Sequence, residues 1–233
     1  MEPASELLKR IRVERRQRCE QAELGKMRAK GKVPGDDRWK AKYQEPEAVD
    51  TEGLPELPGG WCWASLHELA IEGPTNGYSP KSELDSTGSR TLRLSATTQG
   101  RCVLTDSTTK RISESLEADA PYWLQPGDLL IQRANTLEYV GVSALYLGAA
   151  NKYIYPDLMM RVRVNPLVDR RLVWRALSWD GSRRFLRERA TGTAGNMPKV
   201  NGATVRGVPI PLPPDDEVSI LLGAIERSEH VQD

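Results

Sequence analysis

Between the apolar segments 129–131 and 140–142 of "LQPGDLLIQRANTLEYVGVSALY" (residues 124–146) stand Gln132, Arg133, Asn135 and Thr136, four side chains that donate or accept hydrogen bonds. Apolar flanks of this kind form strands and leave the polar residues on the connecting tip, where a rigid scaffold carries its binding groups. Two further loops have the same chemistry. "NGYSPKS" offers Asn76, Tyr78, Ser79 and Lys81; "TGTAGNMPK" offers Thr191, Thr193, Asn196 and Lys199, with glycine amides that suit an approaching phosphate. Each stretch also has a plainer account: a solvated hairpin tip with Arg133 in a surface ion pair, an Asn-Gly turn, and a glycine-rich connection.

Enzymatic chemistry finds less support. "LPPD" is similar to the D-P-P-Y or N-P-P-F motif of amino-methyltransferases, but Leu212 stands where that chemistry needs a side-chain acceptor for the exocyclic amine, and no Gly-rich cofactor loop follows a strand. Asp157 lacks the companion carboxylates and lysine of a metal-dependent nuclease. His67 and His230, the two histidines, have no partner at ligand or triad spacing. Cys19, Cys62 and Cys102 are widely spaced and odd in number, so neither a disulfide framework nor a zinc site is expected, and a reducing compartment is.

The loops need a scaffold, and 233 residues suffice for one ordinary domain with appendages. The total of 33 Lys plus Arg against 32 Asp plus Glu singles out no partner, but the distribution is uneven. Residues 1–45 hold 13 basic and 8 acidic side chains and residues 152–206 hold 12 and 4, whereas residues 46–151 hold 7 and 14 and residues 207–233 hold 1 and 6. Two basic blocks suit a polyanion, or are two solvated helix faces.

Residues 4–30 predict a helix with Ser5 as N-cap and a short stripe of Leu7, Leu8 and Ile11 that must lean on another helix. Residues 31–54 read as a linker whose Trp39 and Tyr43 pack back onto the globular part. There Ser65 caps a helical turn, "RTLRLSA" and "GRCVLTD" alternate like strands, and the hairpin around residue 133 supplies two more. "LMMRVRV" sets Met160, Val162 and Val164 against Arg161 and Arg163, a half-buried strand with one cationic face. Residues 169–190 predict a helix, broken near Gly181, with Leu172, Val173, Ala176 and Leu177 inward and its arginines outward. The prolines of "VRGVPIPLPP" place an extended segment at a sheet edge, and Val218, Leu221, Leu222 and Ile225 mark a second amphipathic terminal helix. The expected fold is an α/β (α+β) domain with a mixed sheet, flanked by N- and C-terminal helices. No apolar run approaches the roughly 20 residues that cross a bilayer, and the N-terminus has no apolar signal core, so a cytoplasmic protein is expected.

The order of these pieces resembles the specificity subunit of type I restriction–modification enzymes. The resemblance is carried by "LPGGWCWASLHELA", "NGYSP", "LQPGDLLIQRAN" followed by "VG", "ATGTAGNMPKVNGATVRGVPIPLPP" and the Leu/Ile-rich helix after it. It departs from the family at "LPPDDEVSIL", where a Glu-Gln pair is usual. It implies one target-recognition domain over residues 55–214 that reads half of a split DNA site. Residues 1–30 would be the end of the family's spacer helix and residues 215–233 the beginning of the next, so the chain would be about half of a usual subunit or a fragment of one. On this resemblance Gln132, Arg133, Asn135 and Thr136 face DNA with Asn76, Tyr78, Ser79, Lys81, Thr193, Asn196 and Lys199; Arg can grip guanine, and Gln or Asn adenine. Arg183, Arg184, Arg187 and Arg189 would meet phosphates or solvent. The chain would hold no cofactor and no catalysis of its own. Its partners would be double-stranded DNA, methyltransferase subunits carrying S-adenosylmethionine, a restriction subunit, and a second copy of the chain docked through the terminal helices; no membrane is implied. Two rivals stay open: the recognition subunit of a system with a fused methyltransferase–nuclease, and a helical scaffold whose basic residues only solubilise it.

Overall fold

Ala4, Leu7, Leu8 and Ile11 recur at helical spacing and form the buried face of α1 (Ala4–Ala29) in a computed structural model that describes residues 2–80, 86–192 and 197–230. Pro3, not Ser5, occupies the N-cap, without a side-chain bond. Two of the free first-turn amides find carbonyls instead: Ala4 donates to Gly60 at 2.8 Å and Glu6 to Pro3 at 3.0 Å. Past Ile11 the helix is largely exposed and laced by the pairs Arg16–Glu20, Arg18–Glu14 and Lys26–Glu23. The segment after it runs back along the same helix. A 3-10 turn over Arg38–Lys42 places Trp39 in a cleft that Gln17, Gln21 and Leu24 of α1 also line, whereas Tyr43 lines a second cleft with Arg15, Ile71 and Glu72.

The body begins with β1 (Cys62–Ser65), the short helix α2 (Leu66–Leu69) and β2 (Ala70–Asn76). Ser65 caps α2 in a reciprocal box with Glu68. Strands β3 (Arg90–Leu92) and β4 (Thr109–Arg111) form a small pair, and "GRCVLTD" between them is irregular, not a strand. Then come β5 (Leu129–Gln132), β6 (Ser143–Leu145) and β7 (Met159–Val164). Helices α3 (Arg170–Ser178) and α4 (Asp180–Glu188) are separated at Trp179, two residues before the expected glycine. The chain closes with α5 (Gly202–Arg206), β8 (Pro209–Leu212), paired with β1 in a two-stranded sheet, and α6 (Asp215–His230).

The central sheet has the order β2-β7-β5-β6. Every pairing between described strands is antiparallel, and the expected mixed character is confined to a parallel bridge between Thr91 and Ile154. Alternation along β5 and β7 divides two cores. Leu129, Ile131, Met160 and Val162 point into the larger one, shared with α1, α3, α4, β1 and β8. Leu130 and Met159 point into the smaller, with Leu92, Ala96, Leu124, Tyr146, Tyr153 and Tyr155. The sheet is covered on both faces. A bulge in β2 lets it follow β7: Gly73 sits at φ +94°, and a Cβ there would run into the Arg161 carbonyl.

Covering both faces overturns the exposed cationic face expected for β7. Arg161 is 2% exposed. Its Nη2 donates to Glu72 on the neighbouring strand and its Nη1 to the Pro121 and Trp123 carbonyls at 2.9 and 3.2 Å. Arg163 Nη1 donates to Glu72 at 2.7 Å and Nε to the buried Asp128 at 2.8 Å, while Asp128 also accepts from the Gln125 amide. Two cations of the basic block are thus neutralised inside the fold.

Removing one member of a buried ionic network strands the others, at a cost of about 3–5 kcal/mol. Arg161→Ala is therefore expected to lower the unfolding free energy by about that much in urea, whereas Arg171→Ala, which breaks an exposed pair with Asp169, costs less than about 1 kcal/mol. A second expectation concerns pH. Burial, aided by Arg15 and Arg206, pushes His67 from 6.5 down to about 4. A histidine whose folded pKa lies below its unfolded value takes up a proton on unfolding, so acid favours the unfolded chain. This contribution is complete above pH 6.5 and is lost as the pH falls toward 4. Melting temperatures recorded across that window should decline in the native chain and less steeply in His67→Gln.

Candidate nucleic-acid interface

Hairpin β5–β6 aims its polar residues in two directions. Gln132 is fully buried: the strand alternation turns it into the smaller core, where Nε2 donates to the Leu94 carbonyl and Thr97 Oγ1, both at 3.0 Å. Its Oε1 accepts from Asn135 Nδ2 at 2.6 Å. Gln132 is therefore held inside, where it fixes the tip from below. Asn135, half-buried, accepts the Thr136 amide on Oδ1, and Thr136 itself is exposed.

Arg133 is half-buried beside the chain that leads into β7. Its amide donates to the Leu158 carbonyl, and its guanidinium has a 3.5 Å contact with the Asp157 carbonyl, while Nε lacks a hydrogen-bond partner. On the other side the Val200 amide donates to the Arg133 carbonyl at 2.9 Å, and Lys199 is bridged both to Ala134 and to Thr191. The "NGYSP" loop meets the same segment: the Asp157 amide donates to Ser79 Oγ at 3.0 Å and the Tyr78 amide to the Tyr155 carbonyl at 2.9 Å.

The three polar loops singled out in the sequence are thus stitched into one rim around residues 155–158. Asn76, Ser79, Thr136 and Lys199 are exposed on it. Tyr78 is engaged, stacking on Tyr122 at 5.1 Å and donating to Glu114. Lys81, Thr193 and Asn196 lie outside the described residues.

Two cations that sequence inspection left aside join the rim. Arg93, just after β3, and Lys110, on β4, line a cleft of about 280 Å³ with Tyr78, Ser79 and Leu158. The alternation of "RTLRLSA" marks a strand but gives no hint that this pair docks beside residues 78–79. Of the arginines expected on the outside, Arg184, Arg187 and Arg189 are exposed, but Arg183 is 7% exposed and spends its guanidinium on backbone carbonyls.

No protein-family model matches the chain. It is 25% identical over 216 residues to the type I restriction enzyme EcoEI specificity subunit of Escherichia coli, a match covering 91% of this chain and 34% of that protein. The crystal structure of the HsdS subunit from Thermoanaerobacter tengcongensis superposes with a TM-score of 0.54 at 25% identity over 78% of this chain and 46% of that one. A chain from a structural study of complex assembly and conformational transition of the type I R-M system shares the fold, with a TM-score of 0.54 and 17% identity over 97% of this chain and 50% of that one. The chain is thus similar, at 25% identity, to type I restriction specificity subunits. It spans between a third and half of the length of these relatives.

Gln132→Ala should cost about 2–4 kcal/mol in chemical denaturation, because buried donors and acceptors lose their partners and a cavity opens. Thr136→Ala, on the exposed tip, should stay within about 0.5 kcal/mol.

Proposed function

We propose that the chain is a sequence-specific DNA-recognition subunit, or half-subunit, of a type I restriction–modification system. It reads one half of a bipartite site and positions methyltransferase and restriction subunits, which carry the chemistry and the S-adenosylmethionine. The observation that supports this most is the convergence of three loops, far apart in sequence, on one rim where Asn76, Ser79, Thr136 and Lys199 are exposed and Arg93, Lys110 and Arg133 stand beside them. Lys199 and Arg93 suit phosphates, and Arg133 with Asn135 and Asn76 suit base edges.

The test is binding of random-sequence duplex across salt. A face that neutralises about four phosphates weakens roughly 100-fold between about 50 and 200 mM salt; a scaffold without a DNA face binds at neither. Lys199→Ala should weaken all sequences alike and lower the logarithmic salt slope by about 1, whereas Arg133→Ala should reduce preference at one base position by about 1–3 kcal/mol. Loss spread equally over all positions for both variants would remove Arg133 from the reading set.

A further inference from the structure

The turn that follows the reading tip has its own clamp. Residues 136–142 fold as a helical turn: the Tyr139 and Val140 amides donate to the Thr136 carbonyl, and the Gly141 amide returns to the Gln132 carbonyl at 2.7 Å. This leaves the Glu138 and Val140 carbonyls without a backbone donor, as at any helix C-terminus. Arg183, on α4, spans them: Nη2 donates to Glu138 at 2.8 Å and Nη1 to Val140 at 2.7 Å. Arg187, one turn further, adds a donor to Glu138 at 3.2 Å. Gly141 sits at φ +77°, and a Cβ there would come within 2.7 Å of Leu186 and 3.0 Å of Arg183 Nη1, so the turn is pressed flat onto α4.

Among the described residues no carboxylate pairs with Arg183, and burial with Arg187 nearby pushes its guanidinium down to about 10. A cation buried without a counter-ion is costly, which makes a purely packing role for this side chain a poor use of an arginine. What the guanidinium supplies is geometry: a planar fork that bridges two carbonyls and prevents the turn from rotating.

We infer that Arg183 is a positioning residue, which holds the 136–142 turn against α4 and thereby sets the direction in which Asn135 and Thr136 are presented. This deepens the recognition proposed above and rests on it; Arg183 itself touches no DNA.

Two measurements on the full chain separate the clamp from its alternatives. Arg183→Lys keeps the charge but cannot span both carbonyls, and Arg183→Met removes the fork; the lysine variant serves if the methionine variant does not fold. Amide exchange at Val140, Gly141 and Val142 should accelerate about 10-fold or more, with Leu130 and Val162 unchanged. Duplexes selected from a random pool by the native chain should lose about 10-fold of their advantage over random duplex, while affinity for random duplex stays within about 2-fold and its salt slope is unchanged. Unchanged exchange in the turn overturns the inference. So does a parallel loss of selected and random binding with a shallower salt slope, which would make Arg183 a phosphate contact. A native chain that selects no sequence defeats the recognition proposal instead, and exchange alone then decides whether the clamp exists.

Discussion

The fold depends on the neutralisation of two arginines in the middle of its sheet. Arg161 and Arg163 lie on β7, an inner strand covered on both sides, and a lone guanidinium there would be prohibitively costly. Glu72 from β2 and Asp128 before β5 supply the opposite charges, the Pro121 and Trp123 carbonyls accept from Arg161 Nη1, and Arg161 Nε is left without a hydrogen-bond partner. The network ties β2, β7 and the irregular 121–128 segment that leads into β5 together with directional bonds. It links the strands on either side of the Gly73 bulge, where the register between β2 and β7 shifts.

Register in turn decides where the polar loops go. Because β2, β7 and β5 are antiparallel neighbours, the C-terminal ends of β2 and β5 and the N-terminal end of β7 emerge at one edge, with Asn76 opposite Met160 and Gln132 opposite Met159. Loops leaving that edge must be adjacent. The 197–200 segment is recruited to the same place by backbone pairing with Ala134 and Arg133, which no strand order requires.

The N-terminal helix is bound to this platform through one buried carboxylate. Glu68 is 1% exposed; Oε2 accepts the Ser65 amide in the cap of α2, and Oε1 accepts both Nε and Nη2 of Arg12 on α1. Arg15 adds hydrogen bonds to the His67 and Ala70 carbonyls. The direction of α1 is thereby coupled to the turn that feeds β2, whose far end carries Asn76.

What the sequence determined by itself is local. An apolar run marked β5, period-two alternation marked β7, Ser65 marked the α2 cap, helical spacing of apolar residues marked both terminal helices, and clustered Gly, Asn, Ser and Thr marked the loops, because each of these follows from backbone geometry over a few residues. Tertiary structure decided which face of a strand meets solvent. Alternation separates two faces of β7 without saying that a second core covers the cationic one, and it cannot tell a hairpin tip that reads DNA from a Gln132 turned inward toward Leu94 and Thr97. Burial of Arg161, Arg183 and Gln132 depends on acceptors that lie roughly 35 to 90 residues away in the chain, and no local pattern encodes a partner at that separation.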